Sequence, residues 1–199
     1  MEEIKNVPTV DTVRQGLRDM LAYIGEDPDR EGLLETPDRI IKSWGELYAG
    51  YDKSPEEILS KRFSETDGYD QLVLLKNIGF FSACEHHAMS FLGVAHVGYF
   101  PSEKGVVGIS KLARLVECHA RRLQIQERMT KAIADDIMKY VNPRGVAVVI
   151  EGQHLCMQAR GVQKIGSIMV TSAMEGIFKD NLGGCKDEFL TLISGGQLS

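Results

Sequence analysis

Cys84-Glu85-His86-His87 sets a thiol and an imidazole three residues apart. That pairing suits Zn²⁺, a borderline-soft ion that takes sulfur and nitrogen together. On a strand, residues i and i+3 point to opposite faces, so one ion can hold Cys84 and His87 only where the backbone turns. Phe80-Phe81-Ser82 leads into this turn, and Val94-Ala95-His96-Val97-Gly98-Tyr99-Phe100 reads as the next strand, stopped by Pro101. A third ligand must come from elsewhere, and His154-Leu155-Cys156 offers one behind the β-branched run Val146-Ala147-Val148-Val149-Ile150. If that strand continues to 158, His154 and Cys156 share a face, so that Cys156 completes the set while His154 stands beside the ion. Three protein ligands leave a position open for water, the mark of a catalytic site; a fourth from His86, Cys118 or Cys185 would make it structural.

The whole chain sets the bounds. Its 199 residues can bury one real core, with a modest extension. No run approaches the length of a membrane span, and Met1-Glu2-Glu3-Ile4-Lys5 lacks the basic-then-apolar pattern of a signal peptide. Four cysteines without such a signal point to a reducing cytoplasm rather than a disulfide framework. The net charge of −5 argues against duplex nucleic acid as a partner. An anionic small substrate remains open if positive charge is gathered locally.

Helical spacing of Val13, Leu17, Met20, Leu21 and Ile24 predicts a helix over about 10–24. Thr36-Pro37 reads as an N-cap and first-turn proline for a second helix running to about Ala49. Ser54-Pro55 opens a short helical turn. From about 66 the pattern becomes mixed, which places a helical region over 1–65 and a second region over 66–199. Gln71–Leu75 reads as a strand. Ser110 reads as the N-cap of a helix carrying Leu112, Leu115, Val116, His119 and Leu123. With Lys111 and Arg114 beside free N–H groups, that helix start is a ready anion site, or an ordinary cap with solvated cations. Met129, Ile133, Ile137, Tyr140 and Val141 form the stripe of the next helix, which ends before Asn142-Pro143. Glu127 falls in its first turn, where a carboxylate suits the dipole. A further strand near Ser167–Thr171 precedes a short C-terminal helix or tail.

Taken together, Thr36-Pro37-Asp38-Arg39, Cys84-Glu85-His86-His87, Gly108-Ile109-Ser110-Lys111, Ala120-Arg121-Arg122-Leu123-Gln124, Gln126-Glu127-Arg128, His154-Leu155-Cys156-Met157 and Arg160-Gly161-Val162 resemble, in order, the zinc-dependent GTP cyclohydrolase I family over about 36–190. The resemblance implies an α+β tunnelling fold, a four-stranded antiparallel sheet with two helices on one face, behind an N-terminal helical region. It implies a cytoplasmic homodecamer of two pentamers with active sites at subunit interfaces. It further implies Zn²⁺ on Cys84, His87 and Cys156, and a metal-activated water attacking C8 of GTP. His154 would act as general acid, with Ser110 and His86 near the ribose. Glu127, with Gln126 beside it, would hold guanine, and Lys111, Arg114, Arg160 and Arg39 would hold the triphosphate. Formate would leave, and ribose rearrangement would give 7,8-dihydroneopterin triphosphate, opening folate or tetrahydropterin synthesis. The chain departs from the family at Ala88-Met89-Ser90-Phe91, at Val94 and at Gly152-Gln153, none of them a proposed ligand or catalytic position.

Overall fold

The computed structural model describes residues 7–64 and 67–195. The expected boundary between 65 and 66, and the stretch Met1–Lys5, fall outside the described residues. The chain divides into two compact units, 1–48 and 49–199.

The first unit is a helix pair. Helix α1 (Val10–Tyr23) opens on Thr9, whose side chain accepts from the Thr12 N–H. Helix α2 (Thr36–Leu47) is capped by Glu35 without a side-chain bond, so Thr36 is its first residue rather than its cap. Arg14 joins the two helices by donating to Asp38 at 2.9 Å. Little of the apolar surface is buried: Leu21 and Pro37 are covered, while Val10, Met20, Tyr23, Ile24 and Leu34 stay exposed.

In the second unit a 3₁₀ turn (Ala49–Asp52) and α3 (Pro55–Leu59), capped by Ser54, lead to strand β1 (Arg62–Phe63). Then come β2 (Val73–Cys84), β3 (Ser90–Phe100), β4 (Val106–Val107), α4 (Ile109–Ala120), β5 (Leu123–Gln124), α5 (Gln126–Val141), β6 (Gly145–His154), α6 (Leu155–Gln158), β7 (Met169–Gly176) and α7 (Cys185–Ser194). Four long strands pair antiparallel in the order β2-β3-β6-β7, and β5 adds a two-residue parallel pairing outside β2.

Alternation along β6 explains the layers. Val146, Val148 and Ile150 join the core that Leu112, Leu115 and Val116 of α4 and Met129, Ile133 and Ile137 of α5 fill. Ala147 and Val149 face a second core with Phe178, Cys185 and Phe189. A strand covered on both faces must be apolar at every position, hence the unbroken run from Val146 to Ile150. The expected short C-terminal helix is therefore a lid over the other face of the sheet.

Two local features matter below. Strand β2 is one long strand with a bulge between Leu75 and Ile78, where Asn77 takes φ 58° and its N–H donates to His96 Nδ1 at 3.3 Å. The fully buried Tyr99 hydroxyl accepts from the Val107 N–H at 3.0 Å and donates to the same residue's carbonyl at 3.4 Å. That clasp holds β4, and so the start of α4, against the sheet. Gly105, at φ 88°, lets the loop before it close on Phe63, whose carbonyl a Cβ would strike.

Candidate active site

Strand β2 ends at Cys84, and the next residues turn as one ion shared by Cys84 and His87 requires. The Ala88 N–H donates to the Cys84 carbonyl at 2.8 Å, with Ala88 itself at φ 52°. This curls His87 back until its Nδ1 lies 3.9 Å from Cys84 Sγ. The turn is braced from outside: Glu85 N–H donates to the Gln124 carbonyl, and the Glu85 carboxylate pairs with Arg128 on α5.

The third donor arrives from β6, by a different route from the expected one. The strand stops at His154, and Cys156 sits in the helical turn α6 rather than on an extended strand. Cys84, His87 and Cys156 nonetheless bring one ligand atom each within 4.8 Å of one another. A tetrahedral zinc with Zn–S near 2.3 Å would set its donors ~3.8 Å apart, so the set fits such an ion after a small contraction. Burial first, and the neighbouring Cys84 second, push the Cys156 thiol up. A bound divalent cation would reverse that pressure by favouring thiolate.

The alternative fourth ligands lie elsewhere. Cys118 Sγ is spent on the carbonyls of Gly50 and Lys53, and Cys185 Sγ donates to the Ile177 carbonyl. His86 is exposed in the turn and outside the cluster. Three donors thus converge among the described residues.

His154 stands beside the cluster at the strand end. Its ring stacks on Phe91, its cross-strand partner, at 4.4 Å and 5° between planes. Its Nε2 lies 2.9 Å from Gln126 Oε1. Burial lowers its pKa, and the carboxylate of Glu127, exposed in the first turn of α5, acts the other way. Arg160 reaches the same cluster, with Nη1 2.7 Å from His87 Nε2.

The remaining expected residues belong to other elements. Gly108, not Ser110, caps α4, so Ser110 and Lys111 fall inside its first turn. Among the described residues neither Lys111 nor Arg114 has an ion-pair partner. The far end of α4 passes into β5, which pairs with Ala83 and Cys84. Twelve residues of helix span about 18 Å; Ser110 and Lys111 lie in the first turn of α4 and Arg114 near its middle, all in the half of the helix away from β5. Arg39 lies in the helix-pair unit, exposed and paired with Glu35 at 2.6 Å.

The family model described as GTP cyclohydrolase I matches residues 13–194. The chain belongs to the GTP cyclohydrolase I family. It is 52% identical over 177 residues to the GTP cyclohydrolase 1 of Brucella suis (strain ATCC 23445 / NCTC 10510), covering 89% of this chain and 82% of that one. The Brucella canis protein of the same name is 51% identical over the same shares. Among solved structures, the apo archaeosine synthase QueF-Like shares 22% identity with a TM-score of 0.44, over 53% of this chain and 93% of that one.

The structure also brings forward residues whose part no local sequence pattern announces. Phe91 positions His154 through strand register, a relation between residues 63 positions apart that no local pattern announces. Arg128, within Gln126-Glu127-Arg128, ties the turn at 84–87 to α5 through Glu85. Gln126, expected at the substrate, has a fully buried side chain.

Proposed function

We propose that this chain is a GTP cyclohydrolase I that opens the imidazole ring of GTP by hydrolysis, releases formate and forms 7,8-dihydroneopterin triphosphate. It is an enzyme acting on GTP. The observation that carries the residue assignments is the convergence of Cys84, His87 and Cys156 with His154 at the next strand end.

The donor set suits zinc, since two thiolates and an imidazole satisfy a borderline-soft ion and leave one position open. Bound there, zinc supplies a water activated for attack near neutral pH. His154 moves a proton to the guanine ring nitrogen, a task imidazole performs well near pH 7. Glu127, acceptor-only when ionised, receives adjacent N–H groups of guanine. Ser110 and His86 serve the ribose, where the rearrangement needs protons moved. Lys111, Arg114, Arg160 and Arg39 take the triphosphate, so local charge overrides the acidic total.

We assign the tunnelling fold and the homodecamer on three supports. The outer edge of β7 has no strand beside it among the described residues, and an open edge is a template for pairing. The helix pair leaves large apolar side chains exposed. Ser110 and Lys111 open α4 while its far end passes into β5 beside Cys84, an arrangement that suits a site completed by a second copy. No helix among the described residues is long and apolar enough to cross a membrane. The four free cysteines fit the reducing cytoplasm assigned here.

The test is formate release from GTP by zinc-loaded protein, followed with pterin absorbance. Equal formate and pterin are expected. Formate without pterin would confine the failure to the rearrangement and to Ser110 and His86. Zinc and GTP binding without either product would overturn the reading in favour of a binding protein.

A further inference from the structure

Gln126 is wholly buried at the head of α5, and its amide is oriented by groups that leave it no choice. Nε2 lies 3.0 Å from the Ile150 carbonyl, 2.9 Å from the Met169 carbonyl and 3.1 Å from Thr171 Oγ1. Backbone carbonyls only accept, so the amide nitrogen must face them and the oxygen must face His154. The hydroxyls alongside are fixed in turn. Thr130 Oγ1 lies 2.7 Å from the Gln126 carbonyl and gives it its only hydrogen. In the 2.7 Å contact between Thr130 and Thr171, Thr171 is therefore the donor. The hydroxyl hydrogens of Thr130 and Thr171 are thereby placed.

The consequence falls on His154. Gln126 Oε1, 2.9 Å from His154 Nε2, can only accept. From this geometry we infer that Gln126 is a positioning residue that fixes the proton of neutral His154 on Nε2 and leaves Nδ1 as its one exchanging nitrogen. This rests on the reading of His154 as the group that moves a proton during ring opening. The proton lost by the attacking water enters at Nδ1 and leaves to the guanine ring nitrogen, while the other proton stays on Nε2, donated to Gln126 Oε1 throughout, so His154 ends the step as it began. Phe91 fixes the plane of the ring by stacking, and Gln126 fixes the rotation within that plane. Gly152 makes room for this: a Cβ there would press on Gln126 Oε1. Gln126 thus contributes to the reaction without touching substrate.

The experiment is ¹⁵N magic-angle-spinning NMR of the full chain labelled at its five histidines, with His154→Ala identifying the His154 signals by their loss. His154 is expected to show a protonated Nε2 and an unprotonated Nδ1 in the unmutated protein. The opposite pattern would overturn the inference without any variant at position 126. In parallel, Gln126→Met, similar in shape but without an acceptor, is expected to lower kcat about 10- to 100-fold with KM for GTP changed less than about threefold. A raised KM with unchanged kcat would instead make Gln126 a substrate contact. Added to His154→Ala, the same substitution should cost less than about twofold more, since it acts through the missing ring. Retained turnover in His154→Ala alone would overturn the proton-transfer reading and the catalytic part of this inference, while the NMR pattern still decides the tautomer.

Discussion

The two regions of the chain assigned to substrate chemistry are built on opposite plans. At the end formed by β2, β6 and α5, the chain supplies its own partners: the ligand turn is braced by Arg128 and Gln124, and His154 is gripped by Phe91 and Gln126. At the start of α4, Lys111 and Arg114 have no ion-pair partner among the described residues, and Ser110 lies exposed in the first turn. The difference suits the chemistry proposed for each end. A proton transfer depends steeply on distance and tautomer, so its groups must be held before substrate arrives. Phosphate recognition is carried by charge, which tolerates mobile side chains and needs them unspent.

If that contrast is right, the ends fail differently. The largest effect belongs to the closed end. Cys156→Ala removes one of three donors, and zinc retention after dialysis and turnover of GTP should fall together, the latter by at least ~10³-fold. Turnover near that of the unmutated protein would show that α6 does not hold the ion. A smaller and different loss belongs to the open end. Lys111→Ala with Arg114→Ala should raise KM for GTP about 10- to 100-fold, with kcat within a few-fold and weaker salt dependence. A drop in kcat at unchanged KM would mean that the open end is part of the proton-transfer machinery.

The smallest effect lies on neither end and serves as the control. His96 is buried on β3 with Nδ1 accepting from Asn77, and burial holds its pKa below the usual 6.5, with Glu151 opposing and Lys76 adding to the shift. Its folded-state pKa is depressed, so its contribution to stability is present above about pH 6.5 and is lost as pH falls toward the folded value. Thermal stability should therefore fall on acidification through that window, by less than ~1.4 kcal/mol per pH unit for one group. His96→Gln should flatten this window and leave KM for GTP unchanged. A KM that moved with His96 would mean that the sheet does not separate fold from site.

How much was readable beforehand follows from the range over which each feature is determined. The turn at 84–87 could be read because a single ion on i and i+3 demands it. The helices at Val10–Tyr23 and Gln126–Val141 could be read from their apolar stripes, each ended by a local signal. Strand β2 was read only in pieces, since its bulge at Asn77 depends on a histidine in another strand. The helical turn that carries Cys156 was taken for strand, because the β-branched run before it gives no sign of stopping at His154. Ser110 looked like the cap of α4, but the clasp of Tyr99 on Val107 starts that helix earlier, at Gly108. Cys84, His87 and Cys156 converge despite these local differences because donor chemistry, not backbone shape, picks them out.

The Tyr99 clasp also sorts the surface by tolerance to engineering. Both hydrogen-bonding functions of its hydroxyl are spent on Val107, so the chain is tethered before it enters α4. Slack introduced at the exposed Glu103-Lys104 tip would be absorbed upstream of that tether. A reporter peptide inserted there would be insulated from the cations it precedes, whereas the same insertion between Val107 and Lys111 would carry them off with it.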